Sequence, residues 1–350
     1  MKKIIALALC LIMVLACLSF SGCSSSGDVT ELFVLNWGEY LDPDLIAQFE
    51  AENKDIKIKY STTTSNEEMY TVCATEGTKI DITVPSDYLV ERFIKEDLIA
   101  ELDLNNIPNF KYVEKVSGTR TFDPQSKYSI PYMMGTVGIV YNTKLVDDTV
   151  DSWEILWNEK YSKNIMMYDS IRDSMMVALC LKGYDINTTD KAQLEEAGLL
   201  LEKQKPLVLS YGTDNIKSDM IAGARALAVD YSGAAVAAIM ENPDLNYVVP
   251  KEGSNVWVDN LVVLKSSPHK EAAERFINFL CDTEVSAKNS EYIGYTTPNE
   301  AAMEYLDPEL LNNPAYVITD DVLARCTYFK DLGDDLQLYN DIWMKIKTAA

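Results

Sequence analysis

Trp257 and Asp259 stand two residues apart in Asn255-Val256-Trp257-Val258-Asp259-Asn260-Leu261-Val262-Val263-Leu264, an alternating run that reads as a strand. Side chains two apart leave the same face of a strand. An aspartate beside a tryptophan on an otherwise apolar strand is costly to bury without a partner, so the pair marks either an exposed edge or a binding surface. Trp37, Tyr40, Tyr88, Tyr231 and Tyr295 fall on other strand ends or loops, with Glu39, Asp169 and Asp173 beside them. Aromatic faces attract cations and accept stacked methylenes at about 0.5–2 kcal/mol per good contact. Carboxylates form charge-assisted bonds to ammonium groups. Together these types suit a flexible aliphatic di- or triamine, whose charges alternate with apolar spacers. A sugar would call for more amide partners, and sulfate or phosphate would be repelled.

These residues need a scaffold that delivers strand ends to one place. Leu32-Phe33-Val34-Leu35 reads as a buried strand, stopped at Asn36-Trp37-Gly38, and Asp42-Pro43 opens a helix through about Glu52. Ile56 to Tyr60 is a second strand, and Ser65-Asn66-Glu67-Glu68 is a capping box for the next helix. Ile80 to Val84 is a third strand, ending in Pro85-Ser86-Asp87-Tyr88 before another helix. Strands alternating with helices predict a mixed, mainly parallel sheet flanked by helices, with ligands at the carboxyl ends of the strands. Ile130 to Asn142, with Gly135 and Gly138, reads as a close-packed crossover between two lobes. A second α/β region follows: strands at 165–168, 207–213 and 226–233, and a helix running to Lys182 that Asp169-Ser170-Ile171-Arg172-Asp173 opens. His269 to Cys281 reads as a helix, Glu291 to Asn299 as an irregular loop, and 319–347 as helical.

The ends and the composition narrow the function further. Met1-Lys2-Lys3 followed by the apolar run Ile4–Phe20 is a secretory signal, expected to cover residues 1–22. Gly22-Cys23 resembles a bacterial lipobox, with Cys23 as the lipidated residue and 23–28 as a flexible serine-rich tether; Cys17 is a competing box inside the apolar run. The net charge of −23 disfavours nucleic acid as a partner. Of the seven cysteines, Cys73, Cys180, Cys281 and Cys326 remain once Cys10, Cys17 and Cys23 are set aside, and they read as buried free thiols. With one histidine, His269, and no CxxC pair, a zinc site or a cysteine–histidine nucleophile is poorly supplied. No catalytic residue, metal or cofactor is expected.

Five ordered motifs then carry a resemblance: Asn36-Trp37-Gly38-Glu39-Tyr40, Val84-Pro85-Ser86-Asp87-Tyr88, Tyr128-Ser129-Ile130-Pro131-Tyr132, Val256-Trp257-Val258-Asp259 and Ile293-Gly294-Tyr295-Thr296-Thr297-Pro298-Asn299. In this order the chain resembles the spermidine/putrescine-binding proteins, substrate-binding components of polyamine ABC importers. The resemblance implies a type II periplasmic-binding-protein fold, lobe one being 29–137 with 259–302 and lobe two 138–258 with 303–350. It further implies contacts to ligand from Trp37, Gly38, Glu39, Tyr40, Ser86, Tyr88, Thr213, Tyr231, Trp257, Asp259 and Tyr295, with Asp169, Ser170 and Asp173 sharing the far end. Departures from the family pattern are Gly38 for Ser or Thr, Tyr231 for Trp, Asp173 for Glu, Ser170 for Asp and Phe329 for Gln. The implied partners are membrane permease subunits with a cytoplasmic ATPase, the membrane through a lipid anchor, and no second copy of the chain. The implied location is outside the cytoplasmic membrane. Rival readings are a receptor for another cationic metabolite such as thiamine or a basic amino acid, an exported hydrolase with paired carboxylates, and an adhesin or signalling lipoprotein on the same fold.

Overall fold

The computed structural model describes residues 29–348. The expected leader, the Cys23 anchor and the tether lie outside the described residues.

Among the described residues nine strands form the framework: β1 (Thr30–Trp37), β2 (Ile56–Thr63), β3 (Ile82–Thr83), β4 (Ser129–Asn142), β5 (Ile165–Tyr168), β6 (Val208–Gly212), β7 (Leu227–Tyr231), β8 (Leu245–Val248) and β9 (Val256–Val263). Their order is β2-β1-β3-β9-β4-β7-β5-β6, with β8 also on β4. The outer neighbours β1–β2, β1–β3, β5–β6 and β5–β7 are parallel, while β9 and β4 run antiparallel to the strands they join. The fold is thus a mixed α/β sheet with helices on its faces.

The 14-residue β4 joins the two parts of the sheet. Its first half, Ser129 to Thr136, pairs with β9, and its second half, Val137 to Tyr141, pairs with β7. Separate hydrophobic clusters sit on the two sides. One holds Leu32, Val34, Phe49, Ile82 and Phe276; another holds Ile139, Trp153, Ile165, Val177 and Val229. Both crossover glycines are tightly packed, since a Cβ on Gly138 would fall 2.5 Å from the Tyr247 ring.

Local chemistry explains the helix starts. Asp42 accepts the Asp44 N–H at 2.9 Å, and Ser65 accepts the Glu68 N–H at 3.1 Å. The second half of the expected capping box is diverted, because Glu68 accepts from the Thr63 hydroxyl (2.8 Å) and the Thr64 N–H (2.9 Å). One alternative falls and two expectations change. β9 is no edge: it lies between β3 and β4, and every residue in it is buried. The loop expected from Glu291 begins only after a helix, Thr283–Ile293, which ends where Gly294 takes φ +82. The stretch 319–347 is not continuous helix but Asp320–Arg325 and Leu336–Thr348, because Thr327 leaves the helix to bridge Asn255 at the end of β9. Cys73, Cys180 and Cys281 are buried free thiols as expected, and Cys326 is a half-buried one.

Candidate functional site

β1 ends at Trp37, and the following loop turns through Glu39 in the left-handed region (φ 42) to bring Tyr40 inward. Tyr40 is 6 % exposed and donates its hydroxyl to Asp259 Oδ2 at 2.7 Å. Its backbone is held from behind. Tyr132 donates its hydroxyl to the Tyr40 carbonyl at 2.6 Å, and Asn289 donates to the Tyr132 oxygen at 2.8 Å.

Asp259 itself is 7 % exposed, and Ser86 pairs with it in an antiparallel β-bridge. Burial pushes the Asp259 carboxyl up to about 6, against the Tyr40 and Ser86 hydroxyls that hold it down. Those partners are neutral donors, not an arginine. A buried carboxylate served this way keeps its charge available to a cation.

From Asp259 a row of rings crosses the sheet. Tyr40 meets Tyr295 edge to face at 6.0 Å, Tyr295 meets Trp257 at 4.9 Å, and Trp257 meets Tyr231 at 6.2 Å. Tyr231 then donates its hydroxyl to Asp173 Oδ2 at 3.0 Å. The row therefore runs from one buried aspartate to another. Asp173 is 2 % exposed, its Oδ1 has no hydrogen-bond partner, and burial raises its carboxyl above the usual range. The Trp257 indole N–H is likewise buried and unpartnered. Buried polar atoms are nearly always bonded, and these two, one mid-row and one at its end, are not.

The remaining predicted residues divide. Trp37 is half-buried at the end of β1, with its indole N–H on the Val84 carbonyl at 2.8 Å. Tyr88 packs against the cluster containing Val137 and Phe329, and Asn66 donates to both its hydroxyl (2.8 Å) and the Ser86 oxygen (3.2 Å). Ser170 is the N-cap of the helix Ile171–Lys182 and accepts the Asp173 N–H, which orients that carboxylate. Gly38 and Glu39 lie on the exposed part of the first loop. Asp169 and Thr213 are not brought to the row. Asp169 is exposed and paired with Lys347 Nζ at 2.8 Å, and Thr213 is exposed ahead of the helix Asp214–Ile221.

Several contributors were missed from sequence. Tyr132, Asn289 and Asn66 act by holding other residues in place, and nothing in their spacing marks that. Tyr168 adds another ring, edge to face with Tyr231 at 4.9 Å; its position at a strand end was a usable signal. Asp87 is 1 % exposed, with Oδ2 unpartnered and its carboxyl raised well above the usual range by burial and by Asp259. Among the described residues no group of three or more His, Cys, Asp and Glu side chains could hold a metal ion.

Residues 44–317 match the family described as "Bacterial extracellular solute-binding protein". The chain belongs to that family. It is 34% identical over 326 residues, 93% of each chain, to the spermidine/putrescine-binding periplasmic protein of Salmonella typhimurium. A putative spermidine/putrescine ABC transporter structure from Listeria monocytogenes is 39% identical, with TM-score 0.83, over 92% of this chain and 100% of that one. The spermidine/putrescine ABC transporter substrate-binding protein structure from Streptococcus pneumoniae is 36% identical at TM-score 0.83, over 91% of this chain and 98% of that one. Among the described residues no helix is long and apolar enough to cross a membrane.

Proposed function

We propose that this chain is an extracytoplasmic receptor that closes two lobes on a polyamine, putrescine and/or spermidine, and delivers it to the permease of an ABC importer. The observation that carries the reading is the row of rings from Tyr40 to Tyr231 with a buried aspartate at each end. A slender chain bearing an ammonium at each end satisfies both carboxylates, while its methylenes lie on the ring faces. The relatives' names point to the same ligand class.

Trp37, Tyr40, Ser86, Tyr88, Tyr231, Trp257, Asp259 and Tyr295 line the slot, with Asp173 at the far end positioned by Ser170. Lobe one comprises 29–137 and 259–302, and lobe two 138–258 and 303–350. Closure is a hinge motion about the crossover strands, and the ligand favours the closed form through contacts that exist only there. The receptor works as a monomer, held at the outer face of the membrane by a lipid on Cys23 through the 23–28 tether.

A thermal-shift panel tests this. Putrescine and spermidine should raise the unfolding midpoint in a concentration-dependent way, because a ligand that binds only the folded state stabilises it. Thiamine, arginine, lysine, sulfate and maltose should leave it unchanged. A shift with thiamine or a basic amino acid and none with either polyamine would overturn the assignment.

A further inference from the structure

Two glycines carry no side chain toward the slot, yet each lies under one of its rings. Gly135 on β4 is the direct cross-strand partner of Trp257 on β9. Directly opposed residues project from the same face of a sheet. The indole therefore lies over Gly135: a Cβ there would fall 2.4 Å from Trp257 Cζ2, 2.8 Å from Cε2 and 2.7 Å from Ser232 Oγ. Gly233, in the first turn of the helix Ser232–Glu241, does the same for Tyr295. A Cβ on it would fall 2.3, 2.4 and 2.5 Å from Tyr295 Cε1, Cδ1 and Cζ. Real Cβ atoms do not approach this closely, and apart from Ser232 Oγ the atoms met are parts of rigid rings rather than ends of flexible chains.

The two seats act on one contact. Trp257 and Tyr295 meet each other edge to face at 4.9 Å, in the middle of the row. Trp257 is 8 % exposed, and its Nε1 is buried without a partner. Packed interiors yield little space, so a methyl added beneath either ring drives that ring toward its neighbours. For Trp257 those neighbours are Tyr295 and Tyr231.

We infer that Gly135 and Gly233 are positioning residues that set the width of the ligand slot by letting the Trp257 and Tyr295 rings lie flat against the backbone. Neither glycine touches the ligand; each acts through one ring. The inference rests on the polyamine reading for its functional consequence, but the seating of the rings is a property of the unliganded protein.

The test uses the whole exported chain with putrescine as probe. Gly135→Ala and Gly233→Ala should each weaken putrescine binding in calorimetry by about tenfold or more, the outcome expected when a packed site is overfilled. Each effect should depend on its ring. In a Trp257→Phe background, which lacks the outer atoms of the fused ring, Gly135→Ala should cost under threefold, and Gly233→Ala should behave alike in a Tyr295→Leu background. Such non-additivity reports a direct coupling. Without ligand, Gly135→Ala should change the Trp257 emission, taken as the difference between the parent and its Trp257→Phe variant. Unchanged affinity, or equal losses with and without the ring, would overturn the proposal. If Gly135→Ala does not fold, Gly233→Ala decides alone. If the parent protein binds no putrescine, the polyamine reading fails by itself, and the emission change still decides whether Gly135 seats the indole.

Discussion

At the scale of single residues the site depends on how Asp259 is served. Tyr40 donates its hydroxyl to it, the Tyr40 and Ser86 hydroxyls favour its charged form, and burial outweighs them to bring its carboxyl up to about 6. Asp259→Asn keeps the shape and removes the charge. It should abolish putrescine binding in calorimetry with an unchanged far-UV spectrum, and near-normal affinity would reject the role assigned to Asp259. The pH dependence has two opposite signs. A carboxyl whose folded pKa lies above its unfolded one stabilises the fold below the unfolded value, and that contribution is lost as the pH rises through about 6. Cation capture needs the ionised form, so affinity should fall at least about tenfold between pH 7.5 and pH 5. Burial raises Asp173 and Asp87 in the same direction and steepens this fall. Acid should therefore weaken binding while making the unliganded protein slightly more stable; a flat binding profile would remove Asp259 from the amine site.

At the scale of elements, side chains far from the slot hold its walls. Asn66, at the start of the helix Asn66–Ala74, bonds the Ser86 hydroxyl, the Ser86 N–H and the Tyr88 hydroxyl. Asn66→Ala should weaken putrescine binding several-fold and cost about 1–3 kcal/mol of stability, the penalty for leaving buried partners unsatisfied. Chemical denaturation with and without ligand separates the two effects. Arg120 has a larger structural part. It is fully buried and donates to Ser129 Oγ (2.8 Å), Ser126 Oγ (2.5 Å), the carbonyls of Asp123 and Ser129, and Asn260 Oδ1. These bonds tie the 114–128 excursion to β4 and β9, and burial pushes the guanidinium down to about 10. Arg120→Ala should cost about 3–5 kcal/mol, as expected when one partner of a buried polar network is removed. A urea midpoint unchanged from the parent would contradict that.

At the scale of the whole molecule, the helix Asp87–Lys95 meets the segment 328–331 across the two sides of the sheet. Tyr88 packs against the second cluster, Lys95 pairs with Asp331 at 3.3 Å, and Glu91 accepts the Asp331 N–H at 3.1 Å. The ion pair is solvent-exposed and worth at most about 1 kcal/mol. Lys95→Ala should therefore speed putrescine release no more than about fivefold in stopped-flow measurements. A hundredfold effect would mean that this seam, rather than the ligand, holds the closed form. Small-angle scattering should show a smaller radius of gyration with putrescine than without it, and equal radii would contradict hinge closure.

Much of this was legible in the chain alone. Hydrophobic runs of strand length with helix caps between them specify an α/β sheet, because local propensity and burial act over a few residues. The pairing of Trp257 with Asp259 was likewise readable, since alternation along a strand decides which side chains share a face. What tertiary structure decided is partnership. Asp169 and Asp173 are four residues apart and equally acidic in the sequence, yet one pairs with Lys347 at the surface and the other closes the ring row through Tyr231. The diversion of Glu68 to Thr63 and Thr64, the placement of β9 inside the sheet and the glycines beneath the rings belong with it. Each depends on which distant segments are brought within a few ångströms, and short-range patterns hold no record of that.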